Sequence, residues 1–319
     1  MSENEFVYVS GNFVPREEAK ISALDAGVLL GAGLFETLRT YAGKPFRLGA
    51  HLARLRASGE FFRIFVRETD AEITAAVARL LEANGVPDAR VRLTATRGPL
   101  ALREPQGDPE PFDHAHGPEH VEGQGRRVAA AVDDETPPAT LIITAGPMTP
   151  YPAELYEKGA TVVVSDIRTS PDDPTVYHKT TGYLRNLLAL RDAHRARATE
   201  ALIFNTKGRL AEGSLSNAFI VSGGRLLTPP VEEGLLAGIT RAAVLELAAE
   251  AGVPHEQKPL SAREVLDADE LFLTNSIMEV LPVGRVERKE IGDGLPGPVT
   301  KQLASAYRAL VVRETAGGS

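Results

Sequence analysis

Apolar and polar residues alternate along the first part of the chain in the manner of short β-strands. The opening segment FVYVSGNFVP has two alternating runs on either side of Gly11 and Asn12, a pattern that predicts a hairpin with a tight turn. The segment LFETLRTYAGKPFRL repeats this pattern with residues 42–44 at its tip. A further segment, ARVRLTATRG, predicts another strand.

Two segments between these strands have apolar residues at helical spacing. HLARLRASGEFF has its apolar residues on one helical face. ETDAEITAAVARLLEANGV predicts a longer helix, because Thr69 or Asp70 can cap its start and Asn84 with Gly85 can end it. This mixture of strands and helices predicts a smaller α+β domain over residues 1–130.

The pattern over residues 131–319 predicts a larger second domain. ATVVVSDIR is typical of a buried strand, and GYLRNLLALRDAHRAR of the helix that follows it. ALIFNTKGRLAEGSLSNAFIVSGGRLLTPP predicts three strands with turns between them. GITRAAVLELAAEAGV and SAREVLDA predict two helices, DELFLTNSIMEVLPV a strand that runs into a loop, and PVTKQLASAYRALVVRE a closing helix.

Residues 103–127 interrupt this order. The segment is dense in Pro, Gly, His and acidic residues and has no apolar period, so it predicts a long polar loop. His114, His116 and His120 have a spacing that could bind a divalent metal. Histidines of a solvated loop fit the same pattern, and we favour that interpretation. No metal site is therefore predicted.

Composition and charge narrow the class of protein. At 319 residues the chain is long enough for two domains, and 43% hydrophobic with 24% charged residues is typical of a globular protein. A net charge of −8 disfavours a nucleic-acid partner. The chain has no cysteine, which excludes disulfides and thiolate chemistry. Without a signal segment or an apolar run of roughly 18 residues, a cytoplasmic location with no membrane association is expected.

One lysine stands out as candidate chemistry. In VYHKTTGYLRN, Lys179 lies between strand-forming residues and an apolar helical pattern, which places it at a junction inside a core. A lysine has a pKa near 10.4 in water, so burial must lower the pKa before the amine can act as a nucleophile. Most lysines are solvated surface residues, and position alone leaves both interpretations open.

Two further segments become informative beside Lys179. Glu212 in AEGSLSNAF lies between apolar strand residues and a turn, where an acid is usually a capping group. Together with the lysine it suggests a site for pyridoxal 5′-phosphate (PLP), since a carboxylate beside the pyridine nitrogen keeps that nitrogen protonated. LLAGITRAAVLEL places Gly238 and Thr240 at a helix start, where backbone N–H groups bind a phosphate or are simply capped.

These segments resemble the class IV, or fold type IV, PLP-dependent enzymes. That family includes branched-chain and D-amino acid aminotransferases, (R)-amine transaminases and 4-amino-4-deoxychorismate lyase. The resemblance covers nearly the whole chain, through LDAGVLLGAGLFETLRTYAGKPFRLGAHLARL, HKTTGYLRNLLA, AEGSLSNAF, LLAGITR and DELFLTNSIMEVLPV. It implies a two-domain α+β fold of mixed sheets with flanking helices.

The resemblance also implies a role for each matching residue. Lys179 would form the internal aldimine with PLP and move the proton between the substrate and the cofactor. Glu212 would pair with the pyridine nitrogen, and Leu236 would pack on one face of the ring. Tyr183 would reach the phenolic oxygen. Phosphate contacts would come from Arg54, Gly238, Ile239, Thr240, Asn275 and Ser276.

The sequence leaves the reaction and the substrate less sharply defined. VRLTATRGP stands where branched-chain enzymes carry an Arg-Pro pair, which argues against a typical branched-chain enzyme. TRG with a downstream arginine resembles the D-amino acid aminotransferases and the lyase, so Arg97 or Arg103 could bind a substrate carboxylate, or both could flank a polar loop. Phe35 and Arg39 are further candidates for the substrate pocket. We expect an aminotransferase acting on an amino acid or amine and a 2-oxo acid, with the lyase as the alternative. A PLP-binding protein without turnover is a third, less favoured interpretation, and the family implies a homodimer.

Overall fold

A computed structural model describes residues 5–100 and 138–316 of the chain. The helices are α1 (Ala26–Leu30), α2 (Leu48–Phe62), α3 (Asp70–Ala83), α4 (Ala153–Lys158), α5 (Leu184–Arg195), α6 (Ile239–Glu250), α7 (Ala262–Leu266) and α8 (Pro298–Ala316). No helix within the described ranges combines the length and the hydropathy that a membrane span requires.

The strands form two sheets. The first sheet contains β1 (Phe6–Val9), β2 (Asn12–Pro15), β3 (Gly33–Tyr41), β4 (Lys44–Pro45), β5 (Ala89–Thr96) and β6 (Thr140–Pro147). The second contains β7 (Ala160–Thr169), β8 (Glu200–Asn205), β9 (Leu210–Gly213), β10 (Asn217–Ser222), β11 (Arg225–Thr228), β12 (His255–Gln257), β13 (Glu270–Asn275), β14 (Glu279–Val286) and β15 (Lys289–Glu290).

The first sheet is antiparallel, in the order β2-β1-β6-β5-β3-β4, and both predicted hairpins are present. Side chains alternate across β5: Val91 and Leu93 enter a core with α2 and α3, whereas Arg90 and Arg92 face the other side. Helix α3 begins with the predicted cap, since the Thr69 side chain and Glu72 form a capping box.

Strand β6 changes the predicted division of the chain. It pairs with β1 and β5 at the centre of the first sheet, on the C-terminal side of the boundary expected at residue 130. A sheet is held by its strand pairing, so a central strand cannot be assigned to another domain. We therefore place the boundary near residue 150, between β6 and α4.

The second sheet is mixed and has a core on each face. Strands β7, β8 and β14 are paired in parallel, β11 pairs in parallel with β12, and the other pairs are antiparallel. Alternation along β13 sends Leu271 and Leu273 into one core and Phe272 into the other, where it stacks on Phe219 of β10 at 4.9 Å between ring centroids. Helices α6 and α8 cover that second face.

A hairpin replaces the loop that was expected after β13. Strand β14 returns antiparallel to β13, with Leu271 opposite Val283. The turn closes because Oδ1 of Asn275 accepts hydrogen bonds from the backbone N–H groups of Ile277 and Met278, each at 2.8 Å. Glu279 completes the turn with a φ of 60°. The two short helices α1 and α4 are also absent from the sequence-based prediction.

Backbone contacts join the two sheets. The N–H of Phe35 in β3 donates to the carbonyl of Lys179 at 2.8 Å, and Thr181 N–H donates to the carbonyl of Gly33 at 2.8 Å. Thr181 packs on Gly33 so closely that an added Cβ would lie 2.8 Å from its hydroxyl. Phe46 enters the core of the second sheet and packs on Tyr307 at 5.6 Å between ring centroids.

The last helix depends on a distant acid for its start. Glu270 of β13 accepts the backbone N–H groups of Val299 at 3.0 Å and Thr300 at 2.7 Å, in the first turn of α8. A carboxylate at that end stabilises a helix because the first N–H groups have no partner within the helix.

Candidate active site

A cavity of about 510 Å³ lies between the two sheets, a size typical of a small-ligand site. Residues predicted from the sequence supply a large part of its wall. They come from both sheets, from α2, from the first turn of α6, from the turn after β13 and from the segments before α5 and α6. They are Phe35, Arg54, Lys179, Tyr183, Glu212, Leu236, Gly238, Ile239, Thr240, Asn275 and Ser276.

Lys179 lies in the extended segment that is paired with β3. Its Nζ is 4.4 Å from the ring centroid of Phe35 and 5.6 Å from that of Tyr183. Burial lowers the pKa of Lys179 to about 8, while the charges of Glu36 and Glu212 oppose the change. At pH 7 about a tenth of such an amine is in its neutral form, against far less for an ordinary lysine. Lys179 is therefore suited to act as a nucleophile or a base.

Glu212 occupies the wall of the same cavity, near the end of β9. Its Oε2 accepts the backbone N–H of Leu236 at 3.1 Å. Burial raises the pKa of Glu212 to about 7, and the charge of Lys179 opposes the change. The carbonyl of Leu236 accepts a hydrogen bond from Nδ2 of Asn217 at 2.8 Å, so both backbone groups of Leu236 are fixed. A cationic ligand atom beside Glu212 would favour the ionised carboxylate.

The N-terminus of α6 opens into the cavity. Gly238 precedes the helix and makes no side-chain cap, and Ile239 and Thr240 form its first turn. The first N–H groups of a helix have no internal partner and, with the helix dipole, attract an anion. Gly238 packs directly on Oδ1 of Asn217, so a side chain at this position would displace the segment.

A buried ionic cluster holds Arg54 beside that helix start. Glu36 of β3 is 1% exposed and accepts hydrogen bonds from Nε of Arg54 at 2.8 Å and from Nη2 at 2.6 Å. Nδ1 of His51 lies 2.7 Å from the same carboxylate. Nη1 of Arg54 donates to the carbonyl of Ala237 at 2.8 Å. Three of the five N–H donors of Arg54 are thus engaged, which fixes the guanidinium and leaves the others for a ligand.

The charge state of this cluster follows from its contacts. Burial opposes ionisation of Glu36, but hydrogen bonds from His51 and Arg54 lower the pKa of Glu36 to about 2. Burial lowers the pKa of His51, and the hydrogen bond and charge of Glu36 oppose the change. An ionised carboxylate only accepts hydrogen bonds, which assigns the ring proton to Nδ1. Glu36 and His51 were not among the predicted residues, because an acid inside an apolar strand motif resembles an exposed position.

The end of β13 and the turn that follows it supply hydroxyl groups. Ser276 lines the cavity, and Oγ1 of Thr274 is buried with no hydrogen-bond partner among the described residues. Asn275 also lines the cavity, but its side chain is used inside the fold: Oδ1 closes the turn and Nδ2 donates to the carbonyl of Leu215 at 3.1 Å.

Aromatic side chains close the cavity around Lys179. Tyr183 stands just before α5 with its ring edge-on to Phe35, at 5.2 Å between centroids. Burial, followed by the charge of Glu212, raises the pKa of Tyr183 above its ordinary value. Its hydroxyl therefore stays protonated and can donate a hydrogen bond to a ligand.

Two arginines that the sequence analysis did not select also line the cavity. Arg90 and Arg92 point from β5 into it, and the guanidinium carbon of Arg92 lies 3.9 Å from the ring centroid of Phe35. Burial, followed by the charge of Arg90, lowers the pKa of Arg92. The sequence pattern that could have identified them is the alternation Arg-Val-Arg-Leu-Thr in β5. Polar residues at alternate positions are also typical of a strand with one solvated face, so the pattern did not single out the two arginines.

The predicted substrate residues divide between several places. Phe35 lines the cavity, but Arg39 faces a second cavity, where it pairs with Glu279 at 2.9 Å. Arg97 is exposed and is absent from the lining. Both placements depart from the expectation, because Arg39 lies at the far end of β3 and Arg97 lies beyond the end of β5. Arg103 and the three loop histidines lie outside the described residues.

The residues present fit PLP on the chemistry of their donors. An uncapped helix start, Arg54 and the hydroxyl groups of Thr274 and Ser276 would form an anion-binding end, and Lys179 and Glu212 lie on the remaining walls. Within residues 5–100 and 138–316, no cluster of three His, Asp or Glu side chains is placed to hold a metal ion.

Comparison with known proteins shows the family of the chain. The family model for class IV amino-transferases matches residues 33–286. A putative branched-chain-amino-acid aminotransferase of Methanocaldococcus jannaschii is 33% identical over 307 residues, covering 95% of this chain and 95% of the relative. A D-alanine aminotransferase of Bacillus licheniformis is 30% identical over 311 residues, covering 97% and 98%.

Solved structures give the same result. The branched-chain amino acid aminotransferase of Escherichia coli has a TM-score of 0.83 at 28% identity, over 98% of this chain and 96% of that one. A putative 4-amino-4-deoxychorismate lyase of Legionella pneumophila has a TM-score of 0.76 at 21% identity, over 92% and 96%, which shows a shared fold. The resemblance and the fold class expected from the motifs are confirmed, and the chain belongs to the class IV aminotransferases.

Proposed function

We propose that this chain is a PLP-dependent aminotransferase that moves an amino group between an amino acid or amine and a 2-oxo acid. The observation that carries the proposal is the placement of Lys179 and Glu212 in one cavity whose other end is the uncapped start of α6. Enzymes of this family depend on PLP, and the chain offers a group for each part of that cofactor.

The anion-binding end would hold the phosphate. Arg54 would donate its remaining N–H groups, and the backbone N–H groups of Ile239 and Thr240 would donate from the helix start. Ser276 would add a hydroxyl group. Gly238 would allow close approach of the backbone, and Asn275 would contribute by keeping the turn of Ser276 in place.

The ring would lie between these anchors and the aromatic wall. Glu212 would accept the proton of the pyridine nitrogen, Leu236 would pack on a ring face, and Tyr183 would donate to the phenolic oxygen. Bound PLP supplies an electron-accepting ring that stabilises negative charge at the substrate carbon. Lys179 would bind the cofactor through Nζ and then use the same atom to take a proton from that carbon and deliver it to the cofactor.

The charges at the substrate end of the cavity favour a substrate that carries a carboxylate. Arg90 and Arg92 bring two positive charges to the wall, and no carboxylate of the described residues forms an ion pair with either. A substrate carboxylate would relieve the repulsion between them and accept hydrogen bonds from a planar guanidinium. Both amino acids and 2-oxo acids carry such a group.

The reaction is tested with the PLP-loaded protein and an amino donor alone. We expect D-alanine, a branched-chain L-amino acid or an (R)-amine to abolish the absorbance of bound PLP and a 2-oxo acid to restore it. Lys179→Ala removes the group that moves the proton, so it should show neither change while still binding PLP weakly. Release of pyruvate from a chorismate-derived substrate, without response to any amino donor, would establish the lyase instead.

The phosphate anchor is tested by Arg54→Ala. We expect PLP affinity to fall by roughly 1.5–3 kcal/mol, the value of a hydrogen bond to a charged group. Arg56→Ala is the matched control: Arg56 lies on the same helix but pairs with Asp70 at 2.7 Å, away from the cavity. Fluorescence titration with PLP measures both variants, and equal affinities would refute the role of Arg54.

The substrate carboxylate is tested by Arg92→Ala. We expect the KM for the 2-oxo acid to rise roughly tenfold to a hundredfold, because a charge-assisted contact is lost. Arg97→Ala is the matched control and should leave KM unchanged, because Arg97 is exposed and does not line the cavity. Steady-state kinetics decides, and the reverse ranking of the two variants would restore the expectation from the sequence.

The proposal includes a homodimer. Six leucine and valine side chains of α1 and α5 are exposed near the cavity, and they are Val28, Leu29, Leu30, Leu184, Leu187 and Leu188. A hydrogen bond of 2.8 Å from the Thr181 hydroxyl to the carbonyl of Gly31 holds the segments beside the two helices together. Exposed apolar patches of this kind are typical of subunit interfaces.

The interface is tested by light scattering. Leu184→Asp should shift the mass from two chains to one, because a buried charge without a partner destabilises an interface. Leu295→Asp, at an exposed position on a different loop, should leave the mass unchanged. A wild-type protein with the mass of one chain would refute the homodimer.

A further inference from the structure

A second buried acid lies behind the wall of the cavity. Glu200 begins β8, is 1% exposed and does not line the cavity. Its Oε1 accepts the backbone N–H of Leu215 at 2.5 Å and the hydroxyl groups of Ser216 at 2.9 Å and Ser214 at 3.3 Å. One carboxylate oxygen therefore holds three consecutive residues.

Those residues form the turn that directly follows Glu212. Residues 213–216 line the cavity, and their carbonyls are held from other elements: Asn186 donates to Ser214 at 2.9 Å, and Asn275 donates to Leu215 at 3.1 Å. The two amides thus bind two carbonyls of the turn, and Glu200 accepts from three of its donor groups. Two backbone hydrogen bonds add to these contacts: Ser214 N–H donates to the carbonyl of Ala201 at 2.8 Å, and Gly213 N–H donates to the carbonyl of Ser216 at 2.7 Å.

The packing around Glu200 leaves little room for movement. A Cβ at Gly213 would lie 2.7 Å from Oε1 of Glu200 and still closer to the hydroxyl of Ser216. The carboxyl therefore touches the backbone of the residue next to Glu212. Any displacement of Glu200 would be transmitted to that residue through direct contact.

Burial of Glu200 lowers the stability that the fold would otherwise have. Burial raises the pKa of Glu200 to about 7, and Oε2 has no hydrogen-bond partner among the described residues. Burial and the charge of Glu200 both raise the pKa values of Glu212, Tyr183 and Tyr151. An apolar side chain of similar size would avoid the desolvation cost, but it could not bind the turn.

We infer that Glu200 is a positioning residue, which fixes the turn 213–216 and through it the Glu212 carboxylate. The inference rests on the proposed function of Glu212, since Glu200 itself touches neither the cavity nor a ligand. For this role the length of the side chain matters more than its charge, because Oε1 must contact Leu215, Ser214 and Ser216 at the same time.

Two substitutions of Glu200 distinguish the effect of its side-chain length from the effect of its charge. Glu200→Gln keeps the length and an accepting oxygen but removes the charge. Glu200→Asp keeps the charge but is shorter by one methylene, so its oxygens withdraw from the turn. Glu270→Asp is the matched control, because it shortens a buried acid that also accepts backbone N–H groups, at the start of α8.

The first measurement needs no cofactor. Hydrogen exchange of the Leu215 amide in the PLP-free protein should accelerate roughly tenfold or more in Glu200→Asp and change little in Glu200→Gln, because the amide is protected by its hydrogen bond. Glu270→Asp should leave that amide unchanged. This measurement tests whether Glu200 fixes the turn even if the wild-type protein binds no PLP. Failure of the wild type to bind PLP would refute the proposed function but not the contact between Glu200 and the turn.

The second measurement uses the PLP-loaded enzyme. Glu200→Asp should lower kcat roughly a hundredfold with KM nearly unchanged, the size expected for misplacement of a reacting group. Glu200→Asp should also shift the absorbance spectrum of bound PLP. In Glu200→Gln, both kcat and the spectrum should stay close to those of the wild type. Glu270→Asp should lower Tm without either effect. Wild-type values in Glu200→Asp, or equal losses in the Asp and Gln variants, would overturn the inference.

Discussion

The site depends on a short stretch of backbone pairing between β3 and the segment that carries Lys179. The hydrogen bonds of Phe35 and Gly33 to residues 179 and 181 hold this segment along the first sheet. The following residue of the strand, Glu36, points to the opposite side and fixes Arg54 of α2. Because neighbouring residues of a strand face opposite ways, one strand positions both Lys179 and Arg54.

Buried charge is the main energetic feature of this region. Glu36 is stabilised as an anion by two partners, whereas Lys179 and Glu212 have pKa values moved toward neutrality by burial. An ionised group without partners is expensive in a protein interior, and the same burial makes proton transfer near neutral pH feasible. The ion pair of Glu36 and Arg54 is therefore fixed, whereas Lys179 and Glu212 have pKa values near the pH at which they would gain or lose a proton.

Much of this site could be predicted from the sequence, since its signals are local. The glycine and threonine at the start of α6, the isolated Lys179 and the acid after Leu210 lie within short motifs, and the structure brings them to one cavity. Arg92 and Glu200 carry no such signal. Arg92 reaches the cavity beside Phe35 through the register between β3 and β5, and Glu200 contacts the turn because a later part of the chain folds back on it.

The hairpin of β13 and β14 and the position of β6 were missed for a related reason. A strand is recognised by its alternation, but its partner is chosen by the whole sheet, and β6 joins β1 across more than a hundred intervening residues. Asn275 likewise shows its function only once its side-chain oxygen is seen to close the turn. Long-range pairing and side-chain direction are the information that local patterns lack.

The bond from Arg54 to the carbonyl of Ala237 has a thermodynamic consequence for the whole molecule. It spans from a helix of the first unit to the segment before α6 in the second, so an anion bound there rests on both units simultaneously. Any such occupant favours the assembled state over the unfolded one by mass action, in proportion to the logarithm of its free concentration. If PLP binds there as proposed, resistance to heat and to proteases would depend on the supply of PLP as well as on the polypeptide.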